Sequence, residues 1–361
     1  MQFISLFVAT VAAAGTLAAA NLTSGMQAGK TGLKSVGPLA FGPDGILFAG
    51  DPMGAQIFAF DTGDAKAAEG GDVDLPGLQE KIAAHLGTAP DQILVNDMAV
   101  NPVSKAVYLS VQRGRGPDAT PVILRLRGGK LEDLKLDTLR HASATLLHAP
   151  AADAKDQRGN NKRSEAITDL AYQDGKVIVA GLSNEEFAST LRTIDFPFAK
   201  TSSITNVEIF HGAHGRYETN APVRTFATYN IGAKPHLLAA YTCTPLVKIP
   251  LSDLKPGAKI MGTTIAELGN RNRPIDMIVY QKGGADFILM NNSSRGVMKM
   301  PAANLEAYES ITKPTDIAGV PYDTIAAWQG VEQLDHFDDK HALMLFRTAA
   351  GGLDLKKVAL P

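Results

Sequence analysis

Six stretches of this chain repeat one pattern: an apolar run, a tight polar turn, a second apolar run, a polar loop and a third run. The clearest copy spans Ala166–Phe196 and from Ile167 reads ITDLAYQDGKVIVAGLSNEEFASTLRTIDF. Leu39–Asp61, Asp97–Arg127 and Asp276–Pro301 follow it closely, and Arg224–Pro250 and Gln333–Leu360 follow it more loosely. Turns such as PDG, QDG and KGG between apolar runs are hairpin signals, because Asp-Gly and Gly-Gly accept the positive φ that a short turn requires. One hairpin cannot bury its own faces, so a series of them must pack against one another. Small antiparallel sheets repeated around an axis are the β-propeller solution. The pattern predicts an all-β, six-bladed β-propeller, with seven blades as the alternative count.

The copies lie about 50–70 residues apart, beyond the roughly 40–45 of a minimal blade, and the surplus falls in the connections. In the first insert Leu78, Ile82 and Leu86 share one helical face and Gly87 stands at the stop position. That predicts a short amphipathic helix near 78–87. The last copy ends at Pro361 with three strands. The segment Asn21–Val36 is therefore expected to supply the missing outer strand, closing the ring and covering its open edge.

Met1–Ala20 carries no charge and ends in small residues, the pattern of a secretory signal peptide. A membrane anchor is the alternative, although its Ala-, Gly- and Thr-rich tail is weakly apolar for a span. Residues 21–361 are then one propeller domain, exported to a periplasmic or extracellular space. The 35 basic and 37 acidic residues give a net charge of −2, which argues against a nucleic-acid surface. Cys243 is the one cysteine, so no internal disulfide forms. No C-x-x-C-H, Walker loop or dinucleotide fingerprint occurs, which leaves no haem c and no nucleotide site.

Aligning the hairpins places Pro38, Asp97, Asp169, Asp276 and Gln333 in one column, each at the start of an inner strand. Inner strands of a propeller converge on its central channel, so Asp97, Asp169 and Asp276 are expected to face one another at the channel mouth. Gathered carboxylates raise one another's pKa or hold a divalent cation such as calcium or zinc. They are the candidate catalytic and metal-binding residues. The alternative is that each caps the loop before its own strand. Loops joining second and third strands fall on the same face and supply Arg113, Glu185, Asn291 and Arg295. With Arg273, these are the candidate contacts for a polar or anionic substrate, arginine being suited to carboxylate and phosphate. His211 and His214 form an H-x-x-H pair and Cys243 sits on a loop of the same face, so all three are further metal candidates. Solvated loop histidines and a small buried hydrophobe are the bland readings of these residues.

The blade strings LAFGPDGILFAGD and DLAYQDGKVIVAG resemble the exported six-bladed propellers of the NHL, gluconolactonase-like and YVTN groups. In the gluconolactonase-like group a divalent cation lies at the channel mouth, held by a Glu, an Asn and an Asp from different blades. The resemblance implies that Asp169, Asp276 and Asn96, which adjoins Asp97, occupy comparable positions. The first-blade Glu has no counterpart, since Gly37-Pro38 stands there. A metal-dependent hydrolase or lyase on a small polar or anionic molecule is the leading expectation. A non-catalytic propeller that binds a protein or glycan through the same face is the rival.

Overall fold

The computed structural model describes residues 22–67, 73–198, 202–243 and 245–361, so the signal-like segment lies outside the described residues. The strands form six sheets arranged as the blades of one propeller, antiparallel except where Lys259–Met261 runs parallel to Ser202–His211. Blade 1 is built on Leu39–Phe41, Ile46–Asp51 and Gln56–Asp61, and blade 2 on Ile93–Val100, Val107–Arg113, Thr120–Arg127 and Lys130–Asp133. Blade 3 starts at Asp169–Gln173, blade 4 at Thr225–Ile231, blade 5 at Pro274–Lys282 and blade 6 at Val331–Asp338. The hairpins turn as the sequence predicts. Asp44 and Gly45 sit at φ 55° and 73°, and Gly283 and Gly284 at 61° and 80°, the left-handed pair that a two-residue hairpin needs.

The second strands read as continuous apolar runs because a blade packs on both faces; every residue of Ile46–Asp51 is buried. Six apolar clusters result, one per seam. Phe48 and Ile57 meet Leu170 and Val179 between blades 1 and 3, and Leu47 and Phe60 meet Tyr108 and Ile123 between blades 1 and 2. Further clusters join blade 3 to 4, 4 to 5, 5 to 6 and 6 to 2. The order around the ring is therefore 2–1–3–4–5–6, not the order of the chain.

That order rests on a strand the hairpin pattern does not show. After completing blade 2 the chain returns, and Arg140–Thr145 pairs with Gln56–Asp61 as the outer strand of blade 1. Gln27 and Ala28 then pair with His141 and Arg140. The expected closure by the N-terminal segment is thus corrected: this segment edges blade 1, and blade 6 keeps three strands. The 6–2 seam is closed by the first insert. Leu75 bridges Leu355, Asp74 accepts from the Lys357 N–H at 2.7 Å, and Leu78 and Ile82 of the helix Leu78–Leu86 are fully buried in that seam. The reason is positional: the link from blade 1 to blade 2 runs beside the open edge of blade 6. The helix ends where predicted, at Gly87 with φ 64°. No helix among the described residues is long and apolar enough to cross a membrane.

Candidate functional site

The aligned column does converge, and its carboxylates do a job of their own. Asp97 Oδ2 accepts the Leu39 N–H of blade 1 at 2.6 Å. Asp169 Oδ2 accepts the Phe226 N–H of blade 4 at 2.8 Å, and Asp276 Oδ2 accepts the Leu334 N–H of blade 6 at 2.8 Å. Asp335, two residues beyond Gln333 in the same strand, repeats the bond with the Val100 N–H of blade 2 at 2.7 Å. Each bond crosses a seam in the same sense, so the caps serve the neighbouring blade rather than their own loops. Blades 1 and 4 start with Pro38 and Thr225 and offer no such carboxylate.

These bonds lower carboxyl pKa values, but burial outweighs them. Burial, with Asp169 and Asp335 nearby, raises Asp97 well above the usual carboxylate range. Asp276 is raised the same way by burial and by Asp97 and Asp169. Asp169 is pushed up to about 7 and Asp335 to about 6, mainly by burial. Asp169 and Asp335 are thereby brought toward neutral pH, the range in which a side chain can both give and take a proton.

Asp97, Asp169 and Asp276 stand at the waist of the channel, lining both an upper cavity of about 810 Å³ and a lower one of about 530 Å³. Arg224, Arg273, Ser293, Ser294 and Arg347 line the upper cavity. Two of its arginines are engaged. Arg224 donates to Glu165 at 2.6 Å and to Thr242 Oγ1 at 3.0 Å, and Arg347 grips Glu332 through two bonds. The guanidinium of Arg273 has no hydrogen-bond or ion-pair partner among the described residues, and burial together with Arg224 depresses its pKa. Asp276 also keeps one oxygen, Oδ1, outside any hydrogen bond, whereas Asp169 spends both, one on Phe226 and one on Leu170.

The other predicted residues take different places. Asn291 is fully buried and supports the site from beneath, its Oδ1 accepting the Asp276 N–H at 2.7 Å. Arg295 lies outside the cavity lining and donates to Asn270 O at 3.2 Å. Arg113 is exposed away from the cavity, and Glu185 accepts from Asn206 at 2.7 Å in blade 3. Of the expected substrate contacts only Arg273 lines the axial cavity. The sequence reading missed Arg224, Arg347 and Asp335. Asp335 alone carried a signal, an acid inside an inner strand.

His211, His214 and Cys243 do not join the aspartates. They meet at the 3–4 seam, one ligand atom from each within 4.8 Å of the others. Among the described residues no aspartate set comes together in this way. The channel-mouth cation implied by the resemblance also lacks its first-blade ligand, since Pro38 carries no donor atom.

No family model matches the chain, and no curated protein matches it. Among solved structures it is similar to a glucose dehydrogenase-type oxidoreductase from Thermus thermophilus, at 10% identity and a TM-score of 0.36, over 92% of this chain and 99% of that one. It is also similar to the extracellular region of plexin A4, at 9% identity and a TM-score of 0.43, over 93% of this chain and 40% of that one. A GH43 glycoside hydrolase aligns at 9% identity and a TM-score of 0.37, over 75% of this chain and 51% of that one. At scores this low, none of these proteins bears on the activity or partner of this chain.

Proposed function

We propose that the upper axial cavity takes a small, polar, anionic molecule and performs acid–base chemistry on it, a hydrolysis or an elimination, in an exported protein. One observation carries this reading: Arg273, whose guanidinium has no hydrogen-bond or ion-pair partner among the described residues, and Asp276, whose Oδ1 has no hydrogen-bond partner among them, line the same cavity. Arg273 supplies a planar fork for a carboxylate or phosphate. Asp276 is the proton carrier, held in place by Asn291 below and by the Leu334 N–H to one side. Burial raises its pKa well above the usual carboxylate range, and Asp97 and Asp169 add to the rise by their proximity. The uncharged, apolar run Met1–Ala20 supports export.

Calorimetric titration with citrate and inorganic phosphate as probes tests the anion hold. Arg273→Ala is expected to weaken binding about tenfold or more, the worth of one desolvated charged hydrogen bond. The melting temperature should not move, because Arg273 supports no other group. Equal affinity in wild type and variant removes Arg273 from the site. A screen of ester, lactone and sugar-acid substrates tests the chemistry. There Asp276→Asn is expected to bind as before and to turn over about a hundredfold more slowly or worse.

A further inference from the structure

A second site lies off the axis, where blade 3 meets blade 4. His211 ends the strand Ser202–His211 of blade 3, His214 lies in the turn that follows, and Cys243 sits in a loop of blade 4. Both imidazoles are oriented by one carboxylate: Glu218 Oε2 bonds His211 Nδ1 at 2.9 Å and Oε1 bonds His214 Nδ1 at 2.8 Å. Arg216 holds the same carboxylate at 3.0 Å. With Nδ1 of each ring occupied, each is left with Nε2 as its free nitrogen. A carboxylate on the far nitrogen of a histidine is the usual support behind a metal-ligating imidazole.

His211 is only 2% exposed, and its Nε2 has no hydrogen-bond partner among the described residues. A buried polar atom left in that state has given up its bond to water without replacing it. Beside it Glu267 is fully buried, with Oε1 accepting the Gly212 N–H at 2.5 Å and Oε2 also unpartnered. The loop leaves no room there for a larger residue, as a Cβ on Gly212 would stand 2.8 Å from Glu267 Cγ. Cys243 is held at φ 63°, a left-handed conformation that a non-glycine residue adopts at a cost, and its N–H is fixed by Asn272 O at 2.7 Å. One orphaned imidazole nitrogen, a second supported imidazole and a thiol in a constrained turn thus come together at this seam.

We infer that His211 Nε2, His214 Nε2 and Cys243 Sγ bind one divalent cation of the zinc class, stapling blade 3 to blade 4 and leaving a fourth coordination position open on the solvent side. The ligand set is the borderline nitrogen–sulfur mix that zinc takes, and three protein ligands are the number of an open site. Bond lengths of roughly 2.0–2.3 Å place tetrahedral ligand atoms about 3.5 Å apart, and one ligand atom from each of the three residues already lies within 4.8 Å of the others. His214 is the exposed member, with 43% of its side chain accessible, and marks the open side.

The test uses the full chain, without a histidine tag, after chelator treatment and dialysis. Cobalt(II) alone is the probe, followed by displacement with zinc. The expected result is one cobalt per chain with a thiolate-to-cobalt charge-transfer band, abolished by an equivalent of zinc, and a zinc-dependent rise in melting temperature. Cys243→Ala should lose the band, and Glu218→Gln should weaken zinc binding about ten- to a hundredfold. Both variants must melt in metal-free buffer close to metal-free wild type, which separates lost ligation from lost fold. Absence of the charge-transfer band in folded wild type overturns the proposal. Zinc affinity unchanged in Cys243→Ala overturns it equally, since the metal then sits elsewhere.

Discussion

Asp169 offers the sharpest test of the axial carboxyls, because its environment makes opposing demands. Its oxygens accept the Leu170 N–H at 2.7 Å and the Phe226 N–H at 2.8 Å, which favours the anion, while burial pushes its pKa from 3.8 up to about 7. Burial wins, so the folded protein binds this proton more tightly than the unfolded chain does. The stability tied to the protonated carboxyl is complete below about pH 4 and is lost as pH rises to about 7. Between pH 5 and pH 8 the carboxyl crosses about two pKa units at roughly 1.4 kcal/mol each, a ceiling of about 3 kcal/mol. Water in the cavities on either side screens the charge and reduces this to about 1–2 kcal/mol. Asp169→Asn keeps one oxygen acceptor and cannot ionise; the lost second bond costs about 1 kcal/mol at every pH. Urea unfolding of both proteins at pH 5 and pH 8 reads the difference. Wild type should lose about 1–2 kcal/mol more than the variant between the two conditions. Equal losses would refute the reasoning, and so would a wild type that gains on the variant toward pH 8, for the anion would then be the preferred state.

Other consequences follow from packing and hydrogen bonding. Ile82 is fully buried in the 6–2 seam, so Ile82→Ala should cost about 2–4 kcal/mol in urea unfolding, whereas exposed Glu80→Gln on the same helix should cost almost nothing. Arg192 is 1% exposed and donates to the carbonyls of Leu147 at 3.0 Å, Ala166 at 3.4 Å and Leu182 at 3.0 Å. Arg192→Met should therefore lower stability by about 3 kcal/mol or more, since these acceptors lose their donor together. At the cavity, a double variant of Arg273→Ala with Asp276→Asn should show additive losses in binding and turnover if one residue holds and the other reacts, which comparison of the four proteins by titration and rate will show.

Much of the architecture is legible in the chain because its determinants are local. Turn chemistry at Asp44-Gly45 or Gly283-Gly284 fixes a hairpin within a few residues, and the spacing of Leu78, Ile82 and Leu86 with Gly87 fixes a helix in the same way. The column of Asp97, Asp169 and Asp276 is visible for the same reason: each aspartate holds the same position in its own hairpin. Arg140–Thr145 escapes such reading. RHASAT has no strong apolar alternation, and it becomes a strand because the edge of Gln56–Asp61 lies open beside it. The separation of His211, His214 and Cys243 from the aspartates was equally invisible, since loops on one face differ only in distance from the axis.

By itself, then, the sequence determined the unit and the acids at its inner edge, properties of short segments with their own turn and pleat, and left six copies against seven for the structure to decide. The tertiary structure decided the ring order, the element that closes it, and which polar atoms are left unpaired at Arg273, Asp276 and His211. Those outcomes depend on partners far apart in the chain, and only packing brings such groups close enough to bond or leaves them without a bond.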